Sequence, residues 1–254
     1  MNTRDVAIAT MTLGRDMREQ TLLHAALREL AAAHIPVYLT DGGSGEDFVD
    51  ELRRFPGFNV CEPRGAGLWP QVRRSLEAAR KSGARFILYA EPDKREFFSA
   101  RMATFIADAP DDGETGVVLA ARSQAELSTF PPFQQFTESV INRCCAEVIG
   151  QSFDYSYGPF LLNGALVDQL NGLEDDIGWG WRTHAFGIAH RMGLTVEHIV
   201  AGCSCPADQR EDCERTYRML QLAQSIEGLV LSTKARPEQL KPASAQTIEP
   251  KHRQ

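Results

Sequence analysis

The sequence predicts an α/β fold with a mostly parallel central sheet and helices on both faces. Three observations predict it: short β-rich apolar runs, segments with apolar residues at helical spacing between them, and polar or glycine-rich stretches directly after the runs. Four strands alternating with three helices imply a doubly wound sheet with right-handed crossovers. In such sheets ligands bind beyond the carboxyl ends of the strands.

The elements follow in order. Val6 to Met11 reads as the first strand, and Met17 to His34 carries Leu23, Leu27 and Leu30 at helical spacing. Ile35 to Thr40 is the second strand, followed by a short helix marked by Phe48, Val49 and Leu52. Phe58 to Cys61 is the third strand, and Val72, Leu76 and Ala79 give the face of the next helix. The fourth strand, Phe86 to Tyr89, lacks alternation and is too short for a buried helix, so it reads as buried on both faces. Phe98, Met102, Phe105 and Ile106 then share a helix face, and Gly116 to Ala121 is a fifth strand. Beyond it the rhythm breaks: Phe130-Pro-Pro-Phe133 leads into a helix through Val140, Cys144 and Val148, and Phe153 to Leu162 opens an acceptor-side half. A helix-like run to Met192 and a strand from Leu194 to Val200 follow. Asp208 to Val230 reads as a C-terminal helix packed on the domain, or as a dimer or membrane-surface helix. The expected organisation is one domain over 1–232, with halves 1–121 and 122–232, and a disordered tail over 233–254, poor in large apolar residues.

Composition bounds the function. With 254 residues, 43% of them hydrophobic, the chain can bury a sizeable core. No run approaches the length of a membrane span, and Met1 to Asp5 is followed by no signal-peptide core, so a cytoplasmic location is the default. The six cysteines then read as reduced thiols; Cys203, Cys205 and Cys213 with His198 do not have a strong zinc spacing. The formal charge of −7 argues against a nucleic-acid partner, but a local basic pocket for an anionic sugar nucleotide remains compatible with it.

The candidate site residues fall after the strands. Pro92 stops the fourth strand and holds Glu91 and Asp93 at the sheet edge, where hard divalent cations find carboxylate oxygens; the same residues also suit a polar turn with Asp93 as a helix N-cap. Thr10 and Arg15 follow the first strand. Asp41, before Gly42 and Gly43, suits either a bond to a base or ribose hydroxyl or an Asx turn. Arg64, beside Gly65 and Gly67, could bring a guanidinium and open backbone N–H groups to a diphosphate, or be a solvated residue of a glycine-rich turn. There is no Gly-x-Gly-x-x-Gly after the first strand and no P-loop, so a dinucleotide fold is not expected. Asp175 and Asp176 could act as a general base or hold an acceptor hydroxyl, with Trp179 and Trp181 stacking on a sugar; alternatively the acids favour a helix N-terminus and the indoles are core.

From Val6 to about Val200 the order of these features resembles the GT-A nucleotide-diphospho-sugar glycosyltransferases, especially the family 2-like enzymes and the glucosyl-3-phosphoglycerate synthase group. Asp41-Gly-Gly-Ser44 is similar to the family's Asp-Gly-Ser at the nucleoside, and Arg64-Gly-Ala-Gly-Leu-Trp69 to its diphosphate loop. Glu91-Pro-Asp93 stands at the place of the Asp-x-Asp metal motif, departing from it by Glu in first position. Gly158 matches the acceptor-binding glycine. Asp175, Asp176 and Gly178-Trp-Gly-Trp181 match the region of the catalytic carboxylate or the sugar-contacting Gly-aromatic-Gly segment. For the histidine that completes the metal site in some members, His184 and His198 are the candidates. The resemblance implies a hexosyltransferase using a nucleotide-diphospho-sugar, a divalent metal (Mg²⁺ or Mn²⁺) held by Asp93 and Glu91, and a small-molecule or lipid-linked acceptor. Two rivals are a nucleotidyltransferase, disfavoured because no Gly-x-Gly-x-Arg follows the first strand, and a non-catalytic sugar-nucleotide or protein-binding module.

Overall fold

In a computed structural model of the protein, residues 1–235 are described. The chain runs β1 (Val6–Thr12), α1 (Met17–Ala31), β2 (Val37–Asp41), α2 (Glu46–Arg53), β3 (Phe58–Cys61), α3 (Leu68–Lys81) and β4 (Phe86–Tyr89). It continues through α4 (Met102–Asp108), β5 (Thr115–Ala121), α5 (Gln124–Leu127), α6 (Pro132–Ile149), β6 (Phe160–Asn163), α7 (Gly164–Val167), α8 (Gly180–Arg191), β7 (Thr195–Val200) and α9 (Arg215–Lys234). The seven strands form one sheet in the order β3-β2-β1-β4-β6-β5-β7. Every pairing is parallel except those of β6, which runs antiparallel to β4 and β5. Chain order reverses between β1 and β4, which puts a crevice at their carboxyl ends.

The unbroken apolar runs are explained by two cores. Ala7, Ala9, Ile87 and Tyr89 point into one cluster with Trp69, Phe160 and Trp181. Val6, Ile8, Phe86 and Leu88 point into the other with Leu27, Leu30 and Phe105. Because successive side chains of a strand alternate faces, β1 is apolar without a break from Val6 to Ala9 and β4 throughout.

Several boundaries move for identifiable reasons. The first helix stops at Ala31 rather than His34, because Pro36 keeps Ile35 out of the helical region and His34 takes a φ of 55°. The helix before β5 begins with one wide π turn over Phe97–Arg101. On α6 the buried face is Gln134, Thr137, Glu138, Ile141, Cys145 and Ile149, one residue off the expected Val140, Cys144 and Val148 face, because three polar residues are turned inward. Within the stretch from Phe153 to Leu162 only the residues from Phe160 enter a strand, β6, and those before Pro159 form a loop. At the C-terminus α9 runs through Lys234, past the expected boundary at 232; residues 236–254 of the expected tail lie outside the described residues.

The pairing of α8 with α9 rests on small residues. Ser225, Gly228, Leu229 and Ser232 form the buried stripe of α9 at i, i+3, i+4 and i+7. A Cβ on Gly228 would collide with the backbone of Gly180, and one on Gly187 with Ser232. The two backbones therefore meet at their glycines.

Candidate functional site

The crevice at the ends of β1 and β4 opens into a cleft of about 800 Å³. Its floor is Glu91 to Lys94, one wall is the inward polar face of α6 with Tyr155 to Tyr157, and the other wall is formed by Trp179, Arg182 and the segment from Gln209 to Arg218. Arg15 and Arg18 stand on its rim.

At the floor the two carboxylates part around buried Pro92. Glu91 turns inward: its Oε1 accepts from Arg182 Nη1 at 3.2 Å, while its Oε2 is buried without a hydrogen-bond partner. Gly158 lies against this carboxylate with φ 130°, and any Cβ there would strike it. Asp93 turns outward and is 43% exposed, with Lys94 Nζ at 3.7 Å and Gln209 Nε2 donating to it at 3.2 Å. Glu91 therefore faces Arg182 rather than joining Asp93 at a shared ligand position.

Among the described residues no three His, Cys, Asp or Glu side chains gather to hold a metal ion. The outward carboxylate of Asp93 suits a hard cation that takes its remaining oxygens from a diphosphate, which is how Mg²⁺ is usually held. Neither His184 nor His198 lines the cleft. His184 is buried on α8 against the carbonyl of Gly228 at 3.3 Å, and burial pulls its pKa down to about 4. His198 is exposed on β7 and lies 4.3 Å from the ring of Phe153. No zinc cluster forms from Cys203, Cys205 and Cys213; burial raises the pKa of the first two and keeps them as thiols.

The residues expected at the nucleotide divide. Thr10 is buried and donates to the carbonyl of Ala90 at 2.8 Å. Asp41 accepts four hydrogen bonds: from the N–H groups of Gly43 and Ser44 at 2.9 and 2.7 Å, and from the hydroxyls of Thr12 and Ser44 at 2.8 and 2.6 Å. A carboxylate has about four acceptor positions, so the Asx-turn reading holds and none is left for a base or ribose. Arg15 is on the cleft rim, bound to Glu19. Arg64 is 62% exposed, lies 3.7 Å from Glu77 and faces away from the cleft. Gly65 and Gly67, with φ of 154° and 96°, shape the turn into α3.

The acceptor-side residues divide as well. Trp181 is fully buried, stacked on Trp69 at 5.5 Å and edge-on to Tyr89 at 4.8 Å; no face is open to a sugar, so its expected role is corrected to that of a core residue. Trp179 is half-buried on the cleft wall, its indole N–H donating to the Tyr217 hydroxyl at 2.8 Å. The glycines around it serve packing, because a Cβ on Gly178 or Gly180 would meet Gln224 of α9. Asp175 and Asp176 are exposed outside the cleft wall, and Asp175 pairs with Arg73 at 2.8 Å.

Three side chains without an expected role dominate the α6 wall. Arg122, at the end of β5, has a side chain 1% exposed; it donates to Asp154 at 2.7 and 3.0 Å and to Glu138 at 2.6 Å. Burial works against its charge, but the two carboxylates outweigh burial and raise its pKa. Burial would likewise raise Asp154, yet the bonds from Arg122 hold its carboxyl below the usual range. Gln134 donates to the other oxygen of Glu138 at 2.8 Å. The signal available in the sequence was Arg122 directly after an apolar strand, the same position as the other candidates.

No protein-family model matches the chain. No curated protein matches it either. Among solved structures it is similar to several complexes of glucosyl-3-phosphoglycerate synthase from Mycobacterium tuberculosis. The UDP-glucose complex gives a TM-score of 0.63 at 12% identity, covering 91% of this chain and 80% of that one. The complex of the same synthase with Mn²⁺, UDP and phosphoglyceric acid gives 0.61 at 12% identity, covering 91% and 79%. The complex with Mg²⁺ and UDP gives 0.55 at 12% identity, covering 91% and 80%. The chain has the fold of the GT-A glycosyltransferases.

Proposed function

We propose that this chain is a cytoplasmic glycosyltransferase that moves a hexose from a nucleotide-diphospho-sugar to a small-molecule or lipid-linked acceptor. The observation that carries the reading is the cleft at the strand-order reversal, with an outward Asp93 on its floor, in the fold of a synthase whose structures hold UDP-glucose and Mn²⁺.

In this reading Asp93 would hold Mg²⁺ or Mn²⁺ together with the donor diphosphate, and the ion would supply charge neutralisation at the leaving phosphate. Arg182, Lys94, Arg15 and Arg18 line the cleft and add positive charge where the departing nucleoside diphosphate develops its negative charge. Glu91 orients Arg182 instead of ligating the metal. Trp179 offers the sugar an aromatic edge, while Gly158, without a side chain, leaves room for the inward Glu91 carboxylate. Asp175 steadies Arg73 and takes no part in proton transfer.

Thermal unfolding with UDP, GDP, ADP and their sugar conjugates, each with and without Mn²⁺, tests this, since a ligand of the folded state raises the midpoint. A metal-dependent rise with one nucleoside diphosphate, lost in Asp93→Ala, supports the transferase. A rise that is independent of metal and kept in Asp93→Ala favours the non-catalytic binding module, which the pairing of Glu91 with Arg182 makes the second reading.

A further inference from the structure

A second concavity, of about 550 Å³, runs along α3 on the side away from the cleft, between that helix and Val167 to Asn171. Pro70, Arg73, Arg74, Glu77, Arg80 and Lys81 supply one stripe of α3 at i, i+3, i+4 and i+7, and Arg64 reaches in from the preceding turn. The lining has five cations against the carboxylates of Glu77 and Asp168, on a chain whose formal charge is −7. Basic charge is therefore concentrated here against the trend of the whole molecule.

Helix-end electrostatics account for Arg80 and Lys81, which lie in the last turn of α3, but not for Arg73 and Arg74 in its middle. The cations form two adjacent pairs, Arg73 with Arg74 and Arg80 with Lys81, seven residues or about 10 Å apart along the helix. Between them Arg64 and Glu77 lie 3.7 Å apart and neutralise each other. The acids satisfy the outer pairs only in part: Asp175 holds Arg73 at 2.8 Å, but Asp168 approaches Arg80 no closer than 4.0 Å, and Arg74 and Lys81 make no ion pair among the described residues. The Nε–H groups of Arg74 and Arg80 are buried and also lack a partner among the described residues. An unpaired buried donor on a cation costs free energy that an anion would recover.

We propose that this groove is a binding site for a ligand with several phosphate groups in a row, separate from the cleft and independent of the reaction proposed for it. The outer cation pairs grip the ends of such a ligand and the neutral middle lets it pass, so a single phosphate engages only one pair.

Isothermal titration calorimetry on the full chain with inorganic tripolyphosphate and with orthophosphate tests the proposal. Tripolyphosphate is expected to bind more tightly than orthophosphate. The double variant Arg74→Gln/Lys81→Gln, checked for an unchanged unfolding midpoint, is expected to weaken it at least about tenfold, the loss of one charge-assisted bond. The cleft double variant Arg15→Gln/Arg18→Gln is expected to leave it unchanged. No measurable heat at millimolar tripolyphosphate, equal affinity for the two anions, or loss only in the cleft variant overturns the proposal. A shift of the midpoint in the groove variant is met by Arg74→Lys/Lys81→Arg, which keeps the charge and must keep the binding.

Discussion

Two sets of polar side chains stand at the carboxyl edge of the same sheet, and they differ in what they bond. At the ends of β1 and β2, Thr10, Thr12, Asp41 and Ser44 bond one another and the backbone, with every acceptor of Asp41 filled. At the end of β4, Glu91 keeps one oxygen without a partner and Asp93 faces the cleft. Polar residues after strands thus serve either to fasten loops or to receive ligands, and residue type alone does not separate the two. The separation has an energetic meaning: side chains closed on one another carry stability, while side chains left open carry binding.

The largest effect is expected where closure is deepest. Asp154→Ala leaves Arg122 buried with one of its two partners gone, and a loss of about 3–5 kcal/mol is expected in denaturant unfolding. A loss below about 1 kcal/mol would put the α6 wall with the open set. The next effect is a pH dependence. His184 has an ordinary pKa of 6.5 and is held at about 4 by burial, so the unfolded chain takes up the proton first. Stability from this group is full above pH 6.5 and falls as the pH drops towards 4, by roughly 3 kcal/mol in all. Urea midpoints measured between pH 7.5 and pH 4 report the slope, and His184→Gln is expected to flatten it. Smaller again is Asp41→Ala, which opens the β1–β2 loop and costs about 1–3 kcal/mol. Nucleotide-induced stabilisation should survive in that variant; if it is lost while the fold is kept, Asp41 belongs with the ligand-binding set.

This same division governs what could be read from the sequence. The half from β1 to β4 was legible because its strands are largely apolar and its helices keep their spacing, so patterning alone gives the succession of elements along the chain. The half after β5 was less so. The antiparallel β6 is four residues long and follows a polar loop, and the α6 face is displaced because Gln134, Thr137 and Glu138 turn inward, Glu138 towards Arg122 at the end of β5. Trp181 shows the limit most clearly: a tryptophan among glycines resembles a sugar platform, and only the position of α9 reveals that the glycines admit a second helix while the indole fills the core. Asp41 and Asp93 are both aspartates at the carboxyl end of a strand. Their difference lies in Thr12, Ser44 and the backbone of Gly43, contacts that exist only once the chain has folded.

Asp93 therefore gives the sharpest test, because the smallest effect on stability should accompany the largest on binding. Its side chain is 43% exposed and its partners are Lys94, no closer than 3.7 Å, and Gln209, so Asp93→Ala should change the unfolding free energy by no more than about 0.5 kcal/mol. The same substitution removes the outward carboxylate of the floor, and the stabilisation by a nucleoside diphosphate with Mn²⁺ should fall to the level seen with the nucleotide and a chelator. Glu91→Gln is its counterpart. It weakens the hold on Arg182 at 3.2 Å yet leaves the outward oxygens in place, so the dependence on Mn²⁺ should persist with reduced affinity. If Glu91→Gln instead abolishes the metal dependence and Asp93→Ala does not, the inward carboxylate is the ligand and the assignment of the two floor residues must be exchanged.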